Sequence, residues 1–155
     1  TEQITHSFGL RYDQSNEYES EFNPRLSLAY QWYDWWKIRV SYATAFRQPS
    51  LFELNDEFRG NSNLDSEHIE TIELQNNFIL NENANMRVNL FYSKMKNLIS
   101  EQDDPNSSAG RQFVNLPGNT HVAGLSLIAS YQISPSFSLD GNYMYTHMKS
   151  DEAWG

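Results

Sequence analysis

Two polar stretches hold the side chains that could recognise a ligand. The first, Ser41 to Glu67, reads SYATAFRQPSLFELNDEFRGNSNLDSE. The second, Ser100 to Gln112, contains Asp103-Asp104-Pro105-Asn106-Ser107-Ser108-Ala109-Gly110. Together they bring three guanidinium groups (Arg47, Arg59, Arg111) and two aromatic rings (Phe52, Phe58) into loops. Guanidinium forks bind planar anions through paired N–H donors, and aromatic faces attract cations. That is chemistry suited to binding a ligand rather than transforming one.

Catalytic chemistry has no foothold. There is no Gly-x-Ser-x-Gly elbow, no His-Glu-x-x-His and no phosphate loop. Cysteine is absent, which excludes thiolate nucleophiles, disulfides and thiolate metal sites. No catalytic residue is assigned, and the chain is not read as an enzyme. Asp56-Glu57 and Asp103-Asp104 offer hard oxygens of the kind Ca²⁺ takes, but a solvated acidic loop is the plainer reading. His6, His68, His121 and His147 are dispersed and read as solvated or lumenal. No metal site and no cofactor is expected. Asn106-Ser107-Ser108 matches a glycosylation sequon. The formal charge of −9 opposes nucleic-acid binding, because an acidic surface repels phosphate backbones.

The elements that position these loops are strands. Ile4, His6, Phe8, Leu10 and Tyr12 alternate with Thr5, Ser7, Gly9 and Arg11, the period-two signature of one apolar face. The same alternation recurs at Leu26–Trp32, Trp36–Tyr42, Ile72–Leu80, Met86–Tyr92, Leu125–Tyr131 and Phe137–Tyr145. That predicts about seven antiparallel strands. Tight connections are expected at Tyr33-Asp34-Trp35, at Asn81–Asn85 and at Ser134-Pro135-Ser136. Long ones are expected at Asp13–Phe22, at the Ser41–Glu67 stretch and at Ser100–Gln112. Long and short connections therefore alternate. The faces opposite the apolar ones are mainly Ser, Ala, Asn, Gln and Thr with scattered Arg.

Two architectures fit an all-β chain of this pattern. A soluble β-sandwich would fold the apolar face into its own core. A transmembrane β-barrel would turn it to lipid, with strands of about 9–11 residues or more, short turns at one rim, long loops at the other and aromatics at the interfaces. Tyr30, Trp32, Tyr33, Trp35 and Trp36 cluster around one tight turn, as an aromatic girdle would. No run of about 18 apolar residues provides a transmembrane helix.

Ala45-Phe46-Arg47-Gln48-Pro49-Ser50, followed by Gly60-Asn61-Ser62-Asn63-Leu64-Asp65-Ser66-Glu67, resembles the TonB-dependent outer-membrane receptors, which show an aromatic-basic-x-Pro-Ser segment and then Gly-Asn-x-x-Leu-x-x-Glu. Phe91-Tyr92 with Leu98-Ile99, and Val114-Asn115 with Val122-Ala123-Gly124-Leu125-Ser126, continue the likeness in order. Ser126 stands where the family usually has Glu. The resemblance covers nearly the whole chain. It implies an antiparallel transmembrane segment of about seven strands, within a plugged barrel of about 22. The chain, 1–155, is then expected to be a partial barrel that lacks the plug domain and the C-terminal closing strands.

The resemblance implies an outer-membrane location, lipid around the barrel, and TonB engaged through the N-terminal plug region. It implies uptake of a scarce nutrient by TonB-coupled active transport, with a ferric siderophore as the leading ligand and cobalamin, heme or glycans as others. No His lies between the two boxes, in LFELNDEFR, which counts against heme. Arg47, Phe52, Phe58, Arg59 and Arg111 are the ligand-binding candidates for an iron chelate. Phe46, Arg47, Pro49, Gly60, Asn61, Asn63, Leu64 and Glu67 form the family motif and read as structural. Pro49 lacks an amide hydrogen and ends ladder pairing. A soluble sandwich binding module and a simple porin-like barrel are the rival readings.

Overall fold

The computed structural model describes residues 3–14, 20–105 and 109–151. The sequon at Asn106-Ser107-Ser108 and part of the Asp13–Phe22 stretch lie outside them. Among the described residues nine strands form in order: β1 (Ile4–Asp13), β2 (Glu21–Tyr33), β3 (Trp36–Arg47), β4 (Glu67–Asn81), β5 (Ala84–Lys96), β6 (Ile99–Asp103), β7 (Arg111–Asn115), β8 (Asn119–Ser134) and β9 (Phe137–Ser150). One short helix, α1 (Leu51–Asn55), lies between β3 and β4.

Seven strands make one antiparallel sheet in the order β1-β2-β3-β4-β5-β8-β9. The β6–β7 hairpin forms a separate two-stranded sheet within the connection from β5 to β8. The connections β2–β3, β4–β5 and β8–β9 are two-residue turns at Asp34-Trp35, Glu82-Asn83 and Pro135-Ser136. Every long connection emerges at the other end. The expected alternation of loops is therefore present, and the seven main strands run 10 to 16 residues.

Register carries each face intact across the sheet. One row reads Leu28, Val40, Leu74, Leu90, Leu125 and Tyr145. Its neighbour on the opposite face reads Ser27, Ser41, Glu73, Phe91, Gly124 and Thr146. A one-residue slip in any pair would send apolar side chains to the polar face.

The apolar face has nothing packed on it. Ala29 and Leu64 are the buried hydrophobic residues among those described, while Phe8 is 69% and Tyr143 57% exposed. A soluble sandwich needs a second layer over this face, and the described residues provide none. At the tight-turn end the face closes in aromatics: Trp32 and Trp36 ring centroids are 5.5 Å apart, and Trp36 and Phe78 6.0 Å. The Trp36 indole N–H donates to Asn76 Oδ1 at 3.0 Å. Such rings bury an apolar body and keep a polar edge wet, which suits a membrane interface. No helix among the described residues is long and apolar enough to cross a membrane, which says nothing about crossing by strands.

Candidate loop-side binding unit

The two long loops that hold most of the ligand candidates fold against each other. At the base, Arg47 ends β3 and faces Glu67, the first residue of β4. Its guanidinium grips both flanking carboxylates. Nε and Nη2 donate to Glu67 at 2.6 and 2.8 Å, and Nη1 and Nη2 donate to Glu53 at 2.9 and 3.1 Å. Glu67 Oε1 also accepts from the Ile99 amide at 2.8 Å, which ties in the start of β6. One cation thus joins a strand end, a helix and the neighbouring hairpin.

Helix α1 follows directly from the local sequence. Pro49 stops the ladder, and Ser50 serves as N-cap. The Glu53 amide donates to Ser50 Oγ at 3.2 Å, and the Ser50 amide donates to Glu53 Oε2 at 2.7 Å. This is a capping box. The Arg47 hydrogen bonds hold the Glu53 carboxyl down to about 2, with the Ser50 amide and hydroxyl adding to the effect. Sequence reading found no helix here, although Ser-x-x-Glu after a proline was an available signal.

Beyond α1 the chain turns on Asp56. Its Oδ1 accepts from the amides of Phe58 at 3.2 Å and Arg59 at 2.9 Å. Burial pushes this carboxyl up, but those amides and the Arg59 guanidinium outweigh it and its pKa lies below the ordinary value. Gly60 comes within hydrogen-bond reach of the same turn, its amide donating to Asp56 O at 2.9 Å. A β-carbon there would sit 2.6 Å from both Asp56 N and Asp56 O, so only glycine fits.

The second loop docks on this turn. The Phe113 amide donates to Arg59 O at 2.9 Å, and Asn61 Nδ2 donates to Phe113 O at 2.9 Å. Asn115 clasps Asp65 from both sides, accepting from its amide at 2.8 Å and donating to its carbonyl at 3.0 Å. Leu64 is buried beneath. Asn63 donates its amide to Asn61 Oδ1 at 3.0 Å. The motif residues Arg47, Pro49, Gly60, Asn61, Asn63, Leu64 and Glu67 therefore all fall in or beside this junction, and Phe46 pairs with His68 just below it.

The ligand candidates divide. Arg59 lies over the Phe52 ring at 5.2 Å and the Phe113 ring at 6.0 Å, and it pairs with Asp56 at 3.4 Å and Glu101 at 3.6 Å. Phe52 meets Phe113 edge-on at 5.8 Å. Arg111 pairs with Asp103 at 3.1 Å. Phe58 and Phe52 remain more than half exposed, and so does the Arg111 side chain. Arg47, Arg59 and Arg111 all pair with protein carboxylates. Phe52, Phe58 and Arg111 present the accessible surface. Sequence reading missed Phe113, Glu101 and Asn115 as partners. The β6–β7 hairpin that carries them reads as a loop in sequence, since its strands are only five residues each. Among the described residues no group of three or more His, Cys, Asp or Glu could hold a metal ion.

The family model described as "TonB dependent receptor-like, beta-barrel" matches residues 1–155. The vitamin B12 transporter BtuB of Vibrio cholerae is 29% identical over 122 residues, covering 79% of this chain and 19% of the transporter. Among solved structures, the siderophore receptor PirA of Pseudomonas aeruginosa superposes with a TM-score of 0.83 at 22% identity, over 96% of this chain and 29% of that one. The ferric enterobactin receptor PfeA of the same organism, in complex with enterobactin, gives 0.81 at 20% identity over 94% and 25%. The chain thus spans under a third of the relatives it matches.

Proposed function

Since this chain belongs to the TonB-dependent receptor family, within its β-barrel region, we propose that it forms part of the wall and outer loops of an outer-membrane transporter. That transporter takes up a scarce nutrient, with a ferric siderophore as the leading ligand class, using energy passed through TonB. The observation that carries the membrane part is the uncovered apolar face, which runs across seven strands between aromatics at one end and charged residues at the other. Every backbone group inside lipid must be paired, and a closed barrel of such strands achieves that.

Several features support a plugged receptor over an open porin. Asp13 Oδ2, Asn23 Nδ2, Asn89 Oδ1 and Ser150 Oγ are buried on the polar face and without a hydrogen-bonding partner among the described residues. Buried polar atoms are normally satisfied, and a plug in the lumen would offer partners. The paired loops, fixed by Arg47 and Arg59, make a preformed platform, which lowers the ordering cost of binding. Phe52, Phe58 and Arg111 would meet a bulky anionic chelate there. One of the solved relatives is named a siderophore receptor and another a ferric enterobactin receptor, which favours iron chelates. The B12 transporter among the sequence relatives keeps a corrinoid as the second reading.

The test is growth and binding in the full-length receptor. A deletion strain complemented by it should regain iron-limited growth on a ferric siderophore, and loss of TonB should abolish that gain. Growth restored only by cobalamin would replace the ligand class. Passive, TonB-independent solute flux would replace the mechanism with a porin's.

A further inference from the structure

The polar face of β1, β2 and β3 carries cations with no partner among the described residues. Arg25 stands between Gly9 and Ala43, Arg39 between Ala29 and Gln75, and Lys37 between Gln31 and Asn77. The row between Arg25 and Arg39 is Ser7, Ser27 and Ser41. These small neighbours leave a low floor, and both arginines are exposed above it. Arg39 lies four residues along β3 from Ala43, the partner of Arg25, and two from Lys37. At about 3.4 Å per residue, these are steps of about 13 and 7 Å along the wall.

The lack of partners sets these three apart from the other cations of the region. In the loops, Arg47, Arg59 and Arg111 pair with carboxylates, and at the end of β1 Arg11 pairs with Asp13 at 2.7 Å. Arg25, Arg39 and Lys37 have neither an ion pair nor a side-chain hydrogen bond among the described residues. The stretches Thr5–Gly9, Arg25–Gln31 and Lys37–Ala45 contain no Asp or Glu. On the adjoining strand Glu73 stands opposite Ser41, and it has no ion pair either. Lys37 opens into a hollow of about 410 Å³ at the tight-turn end, lined also by Gln3, Gln31 and Asn77, with Asp34 as its acid among the described residues. Gln75 and Arg87 both donate to Asn77 Oδ1, at 3.1 and 2.9 Å, so Asn77 keeps its own N–H donors unspent there.

A wall that conducts an anion needs cations that hold it weakly and at several places, so that the solute both enters and leaves. Exposed, unpaired cations spaced along one wall meet that need. Arginine suits the role, because its planar fork meets paired anionic oxygens and it stays charged at any physiological pH. We propose that Arg25, Arg39 and Lys37 form a track on the barrel wall that passes an anionic nutrient toward the hollow at the tight-turn end. The proposal rests on the transporter reading above and narrows its ligand class to anionic chelates.

The experiment measures uptake by the full-length receptor in cells, with radioiron-labelled ferric enterobactin and ferric citrate as anionic probes. Arg25→Gln, Arg39→Gln and Lys37→Gln are each expected to lower the maximal uptake rate about fivefold, with equilibrium affinity for the same chelate unchanged. Arg25→Lys and Arg39→Lys keep the charge and should stay within about twofold of wild type. Heat-modifiable gel mobility reports folding, and the three single variants are independent readings. Maximal rates equal to wild type in the glutamine variants overturn the track and leave the transporter reading intact. Faster amide exchange in the plug of those variants also overturns it, by assigning the cations to plug carboxylates. Wild-type uptake that survives loss of TonB overturns the transporter reading by itself. A wild type that accumulates neither chelate overturns the track together with the siderophore reading.

Discussion

Arg47 and Glu67 face each other across β3 and β4, and their side chains meet in a fork of two hydrogen bonds, at 2.6 and 2.8 Å. The same guanidinium holds Glu53 through a second fork. The strand end, the capped helix and the hairpin that begins at Ile99 are thus fastened at one point.

Removal of that point should loosen the loops and leave the sheet. In the full-length receptor, Arg47→Ala is expected to raise amide exchange about tenfold across 50–66, 99–105 and 109–115, with strand protection in the main sheet unchanged. Charge-assisted hydrogen bonds contribute about 1.5–3 kcal/mol, and the partial exposure of Arg47 discounts this figure. Arg47→Lys should not restore protection, since one ammonium cannot form two planar forks. Equal exchange in both variants and wild type would refute the role.

Glu53 gives the junction a pH dependence. Its carboxyl is held down to about 2 in the fold, against an ordinary 4.5. A depressed folded value means that the unfolded loop binds the proton first. The stabilisation is therefore complete above about 4.5, declines below it, and is gone once the pH has fallen through about 2. Exchange in 50–61 should accelerate over that window in wild type, and Glu53→Gln should flatten the dependence.

Gly60 and Gly124 are fixed by close approach. Gly60→Ala places a β-carbon against Asp56 backbone, which cannot step aside, and should cost the loop about 1–3 kcal/mol. At Gly124 the Phe91 ring lies over the site and Tyr145 O would be 2.6 Å from a β-carbon. Gly124→Val should lower the refolding yield of the full-length barrel, and Gly124→Val combined with Phe91→Ala should recover only part of it. Refolding yields equal to wild type would remove the packing argument.

Ligand affinity should separate the more exposed candidates from those packed in the junction. Phe58→Ala and Arg111→Ala are expected to weaken ferric siderophore binding about tenfold, more than any change in loop exchange accounts for. Arg59→Ala should loosen the Phe52–Phe113 contact first, seen as faster exchange near Phe113, with any affinity loss following from that. Isothermal titration and exchange on the same three variants read both quantities. Siderophore affinity unchanged at Phe58 and Arg111 would leave those residues outside the binding surface.

Much of this protein was legible in its residues, and the reason is locality. Period-two alternation belongs to each strand alone, and turn chemistry such as Ser134-Pro135-Ser136 needs only its own neighbours. So seven strands, three tight turns and the long-loop rim could be placed from sequence. The segment Ser50–Glu53 was legible in principle too, because a capping box is local. The five-residue strands β6 and β7 were not, since an alternation that short does not stand out from a polar loop.

The tertiary structure decided what depends on partners far apart in the chain. Asn61 and Phe113 are 52 residues apart and meet because two loops fold back on one another. That meeting turns Arg59 and Phe52 from free candidates into parts of a strut, and it leaves Phe58 and Arg111 facing out. The alignment of Lys94, His121 and Lys149 in one row is likewise invisible along the chain and comes from register alone. Alternation says which residues share a face, and only the hydrogen-bonded ladder says which stand side by side.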